Sequence, residues 1–414
     1  MSVPGFWKHV MTVLGGALGA QAMPLLAAPL ITRMCGPSEL GAFSVWLGVV
    51  TVSAIAATLR LETAMILDHG PQQQRVCFSV VFYTASIIAI LVSCGALLAH
   101  ALGLPALRQQ SWGALVIVGV GTWLTAYNQT TLAYATSHKA FGKAARAKVW
   151  GAGTIALTQL LFLSLGAGEA GLLAGQLIGL ATGLLSATLL LRPPRPQLAW
   201  RLDDEERAYL MRHHKFWSFS LPSNMLNALV GQMPLFLIGM RHGAVAAGLY
   251  ALTQRVLAAP ISLLAASVLE VFKRESVHEF QTLGNCQQAY RYTFRALTIL
   301  GLGPALLLLL FSPQLFATVF GENWRPAGKL AQILAPLCFL NFIASPLSYV
   351  FFVAGKQKVD LIWQIVLFCM TLCAFGFPDT LHQSVLCYTI GYSALYLVYL
   401  HMSYQISQNR LATA

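Results

Sequence analysis

The feature that most constrains this chain is a succession of twelve apolar stretches, most of them long enough to cross a lipid bilayer. Charged or turn-rich breaks separate them at approximate bounds of 10–31, 42–67, 76–99, 112–135, 149–166, 170–191, 217–240, 244–269, 292–312, 329–354, 361–377 and 384–404. A membrane-spanning helix needs about 20 apolar residues. Only 10% of the residues are charged, whereas soluble domains carry about 25%. We therefore predict an all-α polytopic membrane protein with about 12 transmembrane helices.

Lysine and arginine residues are distributed unevenly among the breaks. If the N-terminus is placed on the cytoplasmic side, 20 of the 26 Lys and Arg residues fall on that side and five on the other, while Arg255 lies inside a span. Positive charges concentrate in short cytoplasmic loops. The distribution predicts that both termini are cytoplasmic.

A long break at 192–216 divides the chain into two halves. Its opening sequence, RPPRP, cannot continue a helix, because proline lacks the amide donor and clashes with the preceding turn. The residues after it have apolar side chains at near-helical spacing, which favours an interfacial amphipathic helix over a solvated linker. We predict an N-terminal six-helix lobe at 1–191, a cytoplasmic linker at 192–216 and a C-terminal six-helix lobe at 217–414.

A short motif recurs in the two halves. Residues 36–43 read GPSELGAF and residues 243–250 read GAVAAGLY, so that two glycines recur at an offset of 207. In each half, a proline-bearing span leads into a glycine-bounded corner and then into a further span. Symmetry between two helix bundles is typical of alternating-access transporters, whose substrate path follows the repeat interface. Duplication for structural reasons alone is the alternative.

Several stretches resemble a known family. They read AQAMPLLAAPLITRMCGPSELGAF at 20–43, RLETAMIL at 60–67, SHKAFGKAARAKVWGAGTIALTQLL at 137–161, GLLAGQLIGLATGLL at 171–185 and RHGAVAAGLYALTQRV at 241–256. They are similar to the polysaccharide transporter, or O-antigen flippase, family of the multidrug, oligosaccharidyl-lipid and polysaccharide exporter superfamily. The resemblance implies two pseudo-symmetric six-helix lobes around a central cavity, which move undecaprenyl-pyrophosphate-linked sugars across the bacterial inner membrane.

Arg255 is the clearest charge inside a span. A charge within the hydrocarbon costs at least about 2.5–3.5 kcal/mol, so such residues usually face a cavity or a partner. With the substrate that the resemblance implies, we predict that Arg255 binds pyrophosphate, because guanidinium matches phosphate oxygens in a bidentate way. The alternative is contact with a helix carbonyl, or a side chain that extends to the interface.

Arg60 and Glu62 lie near the end of the second span. On a continuous helix, residues two positions apart point to different faces, so we do not expect these two to pair with each other. Arg60 is then a second candidate for the cationic cavity, with Glu62 positioning it or taking part in ion coupling. Alternatively, both residues belong to the cytoplasmic rim.

Further candidates are polar residues of the first and seventh spans. Gln21, Asn224, Asn227 and Gln232 are predicted to line the cavity, because sugar hydroxyls need donors and acceptors, although interhelical hydrogen bonds explain them nearly as well. Lys8 and Arg33 lie at opposite ends of the first span and either extend the cationic path or are ordinary flanking charges. Four glycines at 171, 175, 179 and 183 share one helix face and are predicted to serve helix packing.

Several function classes find no support in the sequence. It has no phosphate-cradling loop, zinc-protease motif or nucleophile elbow, and its eight cysteines form no CxxC pair, so we predict no enzyme site, metal or cofactor. The net charge of +12 is spread over inter-helix breaks rather than on one face, so no nucleic-acid partner is expected.

We predict a flippase that moves an undecaprenyl-pyrophosphate-linked oligosaccharide, an O-antigen or exopolysaccharide repeat unit, to the periplasmic leaflet by alternating access. Its partners would be this glycan, membrane lipid, a glycan polymerase and a chain-length regulator. One alternative is a multidrug exporter of the same superfamily. Resemblance to that branch would imply an acidic residue in the first span, and none occurs between Val10 and Ile31. A second alternative is a lipid II flippase, although that branch resembles a longer chain than this one. A third is a membrane glycan polymerase or acyltransferase, which would need a larger extracytoplasmic loop than 312–329.

Overall fold

The computed structural model describes residues 19, 22–68, 70–103, 110–197, 203–354 and 357–408, and the regular elements in these ranges are all helical. The first eight helices are α1 Ala22–Met34, α2 Pro37–Thr58, α3 Leu61–Leu67, α4 Pro71–Ala101, α5 Trp112–Ser137, α6 Phe141–Ser164, α7 Gly168–Leu191 and α8 Asp204–Arg212. A π-helical turn at Phe216–Ser220 then leads into α9 Leu221–Leu283, α10 Gln287–Phe320, a 3₁₀ turn at Glu322–Trp324, α11 Arg325–Leu347, α12 Tyr349–Val353, α13 Gln357–Gly376 and α14 Leu381–Ser407.

Seven described helical segments are long and apolar enough to cross a membrane. They are Pro37–Thr58, Pro71–Ala101, Gly168–Leu191, Phe216–Ala258, Gln287–Phe320, Glu322–Val353 and Leu381–Ser407. These segments confirm the prediction of an all-α polytopic membrane protein. The total of about 12 spans, the two six-helix lobes and the central cavity stay predictions.

The second predicted span, 42–67, is not one continuous helix. Leu59 has φ 49° and Arg60 has φ 60°, so both residues adopt the left-handed conformation. For a residue with a Cβ this conformation costs about 1–2 kcal/mol, and it ends α2 at Thr58 and lets α3 begin at Leu61. The break is stabilised locally, because the amide of Arg60 donates to Thr58 Oγ1 at 3.3 Å.

The two glycine-bounded corners are tighter than the sequence indicates. Between α1 and α2, only Cys35 and Gly36 are non-helical. Pro37 opens α2 at a position where its missing amide hydrogen costs nothing. In the second corner, Gly243 alone, with φ 82° and ψ 178°, divides α9 into 221–242 and 244–283.

The chain forms two compact units, the first ending at Gly248 and the second beginning at Leu249. The predicted division of the chain into two lobes at 192–216 concerns membrane helices rather than these units, and it stays a prediction. In the first unit, a buried core joins α3, α4, α5 and α8, and its members are Leu61, Met65, Val76, Cys77, Phe78, Val80, Val81, Tyr127 and Tyr209. A layer of buried alanines from α2, α4 and α5 extends it at Ala54, Ala57, Ala85 and Ala126.

Small residues bring α6 and α7 into close backbone contact. A Cβ on Gly175 would lie 2.8 Å from the amide nitrogen of Gln159, and a Cβ on Gly179 would lie 2.8 Å from that of Ile155. Neither site has room for a side chain, so the predicted packing role of these glycines is confirmed.

In the second unit, hydroxyl groups join neighbouring helices. Thr253 of α9 donates to the carbonyl of Ala327 in α11 at 2.9 Å, and Ser312 of α10 donates to the carbonyl of Gly328 at 2.9 Å. Much of α10 is exposed through leucine and isoleucine side chains. Such a helix suits a lipid environment, in which exposed apolar side chains carry no hydration cost.

Candidate functional site

The helix break at residues 59–60 brings Arg60 and Glu62 into an ion pair. Arg60 Nη1 lies 2.9 Å from Glu62 Oε1, and the two groups are hydrogen bonded. The expectation that they do not pair is therefore wrong. It assumed a continuous helix, whereas Arg60 is left-handed and lies just before α3, which turns its side chain toward that of Glu62.

This pair is largely buried, and its hydrogen bonding is incomplete. The side chain of Glu62 is 8% exposed and that of Arg60 26%. Arg60 Nε and Glu62 Oε2 are both buried and have no hydrogen-bond partner within the described ranges. The carboxylate offsets the guanidinium charge, so the pair as a whole is electrically neutral. A neutral pair is a weaker binding group for a pyrophosphate than an uncompensated arginine would be.

A second polar cluster lies close to the first, where α3 ends. Tyr209 of α8 donates its hydroxyl to Asp68 Oδ2 at 2.9 Å, and His213 Nε2 lies 3.1 Å from the same oxygen. The amide group of Gln74 donates to the backbone carbonyl of Asp68 at 3.1 Å. Burial, together with the nearby Cys77 and Asp68, raises the pKa of Tyr209, so its hydroxyl remains a donor. We name Asp68, Tyr209 and His213 the Asp68 cluster.

Sequence reasoning did not find the Asp68 cluster. Asp68 and Tyr209 are separated by 141 positions, and no local spacing relates them. The helix predicted in the 192–216 linker is present as α8, and it packs on the protein through the buried side chains of Glu206 and Tyr209. Its location at the membrane interface stays a prediction.

The two copies of the recurring glycine motif contact each other at the other end of α2. A Cβ on Gly41 would overlap the carbonyl oxygen of Ala244 and lie 2.7 Å from the amide nitrogen of Gly248. A Cβ on Gly248 would overlap the carbonyl oxygen of Pro37 and lie 2.9 Å from the amide nitrogen of Gly41. At the offset of 207, Pro37 and Gly41 of the first copy correspond to Ala244 and Gly248 of the second. The contact is therefore reciprocal, because residue 41 meets residue 244 and residue 248 meets residue 37.

The predicted cavity-lining residues of the seventh span differ in their surroundings. Asn224 is half-buried and donates its side-chain amide to the carbonyl of Ser220 at 2.8 Å, which ties it to its own helix. Asn227 is exposed. Gln232 lies beside α2, since its Oε1 would be 3.2 Å from a Cβ on Gly48. Asn227 is thus the most accessible of these three amides, and Gln232 lies against α2.

The remaining predicted cations belong to different parts of the chain. Arg255 is half-buried in α9 and belongs to the second unit, whereas Arg60 belongs to the first, so a shared cavity stays a prediction. Arg33 is exposed near the end of α1. Lys8 and Gln21 lie outside the described residues.

Within the described ranges, no group of three or more histidine, cysteine or acidic side chains is arranged to hold a metal ion. Among the described residues, the structure brings together an ion pair at a helix break, a carboxylate cluster that contacts α8, and a reciprocal glycine contact.

Known proteins show similarity to this chain at two levels, sequence and fold. Residues 30–329 match a family described as polysaccharide biosynthesis protein. Teichuronic acid biosynthesis protein TuaB of Bacillus subtilis (strain 168) is 24% identical over 149 residues, which are 36% of this chain. That match spans only 31% of the length of TuaB.

Two solved structures share the fold over nearly the whole chain. Lipid II flippase MurJ in an inward closed conformation aligns with a TM-score of 0.71 at 13% identity, covering 97% of this chain and 91% of MurJ. An inward-facing multidrug resistance MATE family transporter of the MOP superfamily aligns with a TM-score of 0.70 at 16% identity, covering 95% and 96% of the two chains. The family match covers well over half of the sequence, and the chain therefore belongs to the polysaccharide biosynthesis protein family, as a multi-pass membrane protein.

Proposed function

We propose that this protein is a flippase for an undecaprenyl-pyrophosphate-linked oligosaccharide, which it moves from the cytoplasmic to the periplasmic leaflet of the bacterial inner membrane. The observation that carries the proposal is the family match over residues 30–329. The fold shared with a lipid II flippase supports it, and so does the similarity to a protein of teichuronic acid biosynthesis. Both termini are proposed to be cytoplasmic, in accord with the uneven distribution of Lys and Arg.

Arg255 is proposed as the main binding group for the pyrophosphate. It lies within an apolar helical segment, Phe216–Ala258, where an arginine requires a compensating partner or a function. Arg60 is proposed as a second candidate, whose charge Glu62 compensates at 2.9 Å. In this proposal Glu62 is a positioning residue that holds the guanidinium of Arg60, and Asn227 and Gln232 offer amide groups to sugar hydroxyls.

Replacement of Arg255 tests this assignment in cells. In a strain that depends on the protein for its surface polysaccharide, Arg255→Ala should lower glycan export at least about tenfold, since removing one partner of a charged hydrogen-bonded contact costs about 2–5 kcal/mol. Arg255→Lys should retain part of the activity, because it keeps the charge and loses the bidentate geometry. Arg325→Ala is the matched control, since that arginine is exposed and pairs only with Glu322 at the surface among the contacts described.

A reconstituted assay tests the substrate class. Purified protein in liposomes should move a fluorescent undecaprenyl-pyrophosphate-linked oligosaccharide between leaflets, and the same lipid without the sugar should compete poorly. Transport of cationic dyes without transport of the lipid-linked glycan would support a multidrug exporter instead. Normal surface glycan in the Arg255→Ala strain, at unchanged protein level, would remove the assigned binding group.

A further inference from the structure

The C-terminal end of α8 packs its buried Tyr209 ring on the core of the first unit and also makes two polar contacts with one carboxylate. The Tyr209 hydroxyl and the His213 imidazole both approach Asp68 Oδ2, at 2.9 and 3.1 Å. The side chains of His213 and Asp68 are only 11% and 13% exposed, and Tyr209 is buried. The ring of His213 also packs at a tilt against that of Tyr209, with centroids 4.5 Å apart. The Asp68 cluster is therefore a nearly enclosed contact between the α3–α4 turn and α8.

The contact of His213 with Asp68 depends on charge more than on a directed hydrogen bond. Nε2 of His213 lies within ion-pair distance of Asp68 Oδ2, yet among the described residues it has no partner with hydrogen-bond geometry. The attraction therefore needs a positively charged imidazole. Histidine is the side chain whose charge changes most readily within the physiological pH range.

The other groups around the cluster leave Asp68 as the charge that His213 faces. On α4, the Cys77 thiol is buried behind Tyr209. On α3, Glu62 is compensated by Arg60. On the segment of His213 itself, Arg212, His214 and Lys215 are exposed to solvent. A change in the protonation of His213 thus acts mainly on its attraction to Asp68.

The other end of the 192–216 segment is attached by contacts that do not require histidine. Gln72 donates its side-chain amide to the carboxylate of Glu205 at 3.0 Å. The backbone of Gln197 is held from both sides, by Ser79 Oγ at 2.8 Å and by the hydroxyl of Tyr83 at 2.9 Å. A change in the protonation of His213 would therefore alter the attachment of one end of α8. This is the end that leads through the π-helical turn Phe216–Ser220 into α9.

We propose that α8 is a proton-operated clamp. Protonated His213 holds the C-terminal end of α8 on Asp68, and loss of the proton loosens this end and the turn that begins α9. The clamp itself does not depend on what the protein transports. Its use as a regulator, which lets cytoplasmic pH bias the movement of α9, rests on the proposed transport function.

Hydrogen exchange measures the clamp directly in the full-length protein in lipid nanodiscs. Peptides covering 204–217 are compared between His213→Gln and the adjacent matched control His214→Gln at the same pH, so that intrinsic exchange rates cancel. At pH 6, these peptides should exchange about threefold faster in His213→Gln than in His214→Gln or the natural protein, because a charged contact is stronger than a neutral one. At pH 8 the three proteins should exchange alike.

A second variant identifies the partner of His213. Asp68→Asn should show the same fast exchange at pH 6 as His213→Gln, and combining the two changes should add little. Equal exchange of His213→Gln and His214→Gln at pH 6 would overturn the clamp, whatever the protein transports. A clamp that behaves as expected in a protein that moves no lipid-linked glycan would instead reject the proposed function alone.

Discussion

Gly41 and Gly248 approach each other so closely that neither position can accept a methyl group. A Cβ on either glycine would lie within 3 Å of the other glycine's amide nitrogen and would overlap a carbonyl oxygen of the facing helix. Such backbone contact allows two helices to associate in a membrane through close packing, where the hydrophobic effect gives no drive between helices.

Gly41→Ala or Gly248→Ala is therefore expected to destabilise the protein by about 1–3 kcal/mol, because the added methyl group must push the helices apart. Thermal unfolding in nanodiscs measures the effect. Gly95→Ala in α4 is the control, since a Cβ there meets nothing within 4 Å. In that helix interior alanine should stabilise by about 0.5–1 kcal/mol. Equal stability of all three variants would mean that the contact is looser than the structure indicates.

A second prediction concerns the corner at Gly243. Its φ of 82° with ψ of 178° lies where only glycine is comfortable. Gly243→Ala should cost about 1–3 kcal/mol of stability through backbone strain. Gly231→Ala in the same long helix has open space for its methyl group and should be neutral or stabilising. Denaturant unfolding measures the effect, and the midpoint of Gly243→Ala should lie below that of Gly231→Ala. Coincident midpoints for the two variants would rule out backbone strain at residue 243.

The Arg60–Glu62 pair predicts a strong coupling in a double-mutant cycle. Glu62→Ala leaves a guanidinium without its compensating charge, and Arg60→Ala leaves a buried carboxylate, so each single change should be clearly destabilising. The double variant should be more stable than the sum of the single effects predicts, by about 0.5–3 kcal/mol. Additive losses would show that the two groups do not interact in solution.

In the second unit, the hydroxyl of Thr253 bridges α9 and α11. Thr253→Val keeps the shape and removes the hydrogen bond to the carbonyl of Ala327, and it should lower stability by about 0.5–1.5 kcal/mol. Thr282→Val is the matched control, because the exposed Thr282 bonds only to carbonyls of its own helix among the contacts described. A loss of the same size in the control would assign the effect to helix propensity rather than to the bridge.

The positions of most helices were predictable from the sequence, because apolar length is a sufficient signal for a membrane span. The break at Leu59–Arg60 was not predictable. Neither residue is glycine or proline, and left-handed backbone at such residues is uncommon. The error in the expected relation of Arg60 to Glu62 follows directly from this missed break, since side-chain direction depends on backbone conformation.

Contacts between distant parts of the chain were the other limit. The glycine motif was visible as a repeat, but nothing in a repeat says that its two copies contact each other. Likewise, nothing near Asp68 in the sequence points to its partners Tyr209 and His213, which lie at least 141 positions further along the chain. Helix periodicity reports which face of an element is apolar, and it carries no information on which partner covers that face.

The reciprocal contact of the two motifs has a consequence for how this chain can vary. Residue 37 meets residue 248 and residue 41 meets residue 244, which is the pattern that an isologous interface produces when two identical subunits are related by a two-fold axis. Within one polypeptide, the two motif copies therefore stand to each other as the subunits of a homodimer. A larger side chain at one copy would displace the backbone of the other copy, so these four positions are constrained as a set.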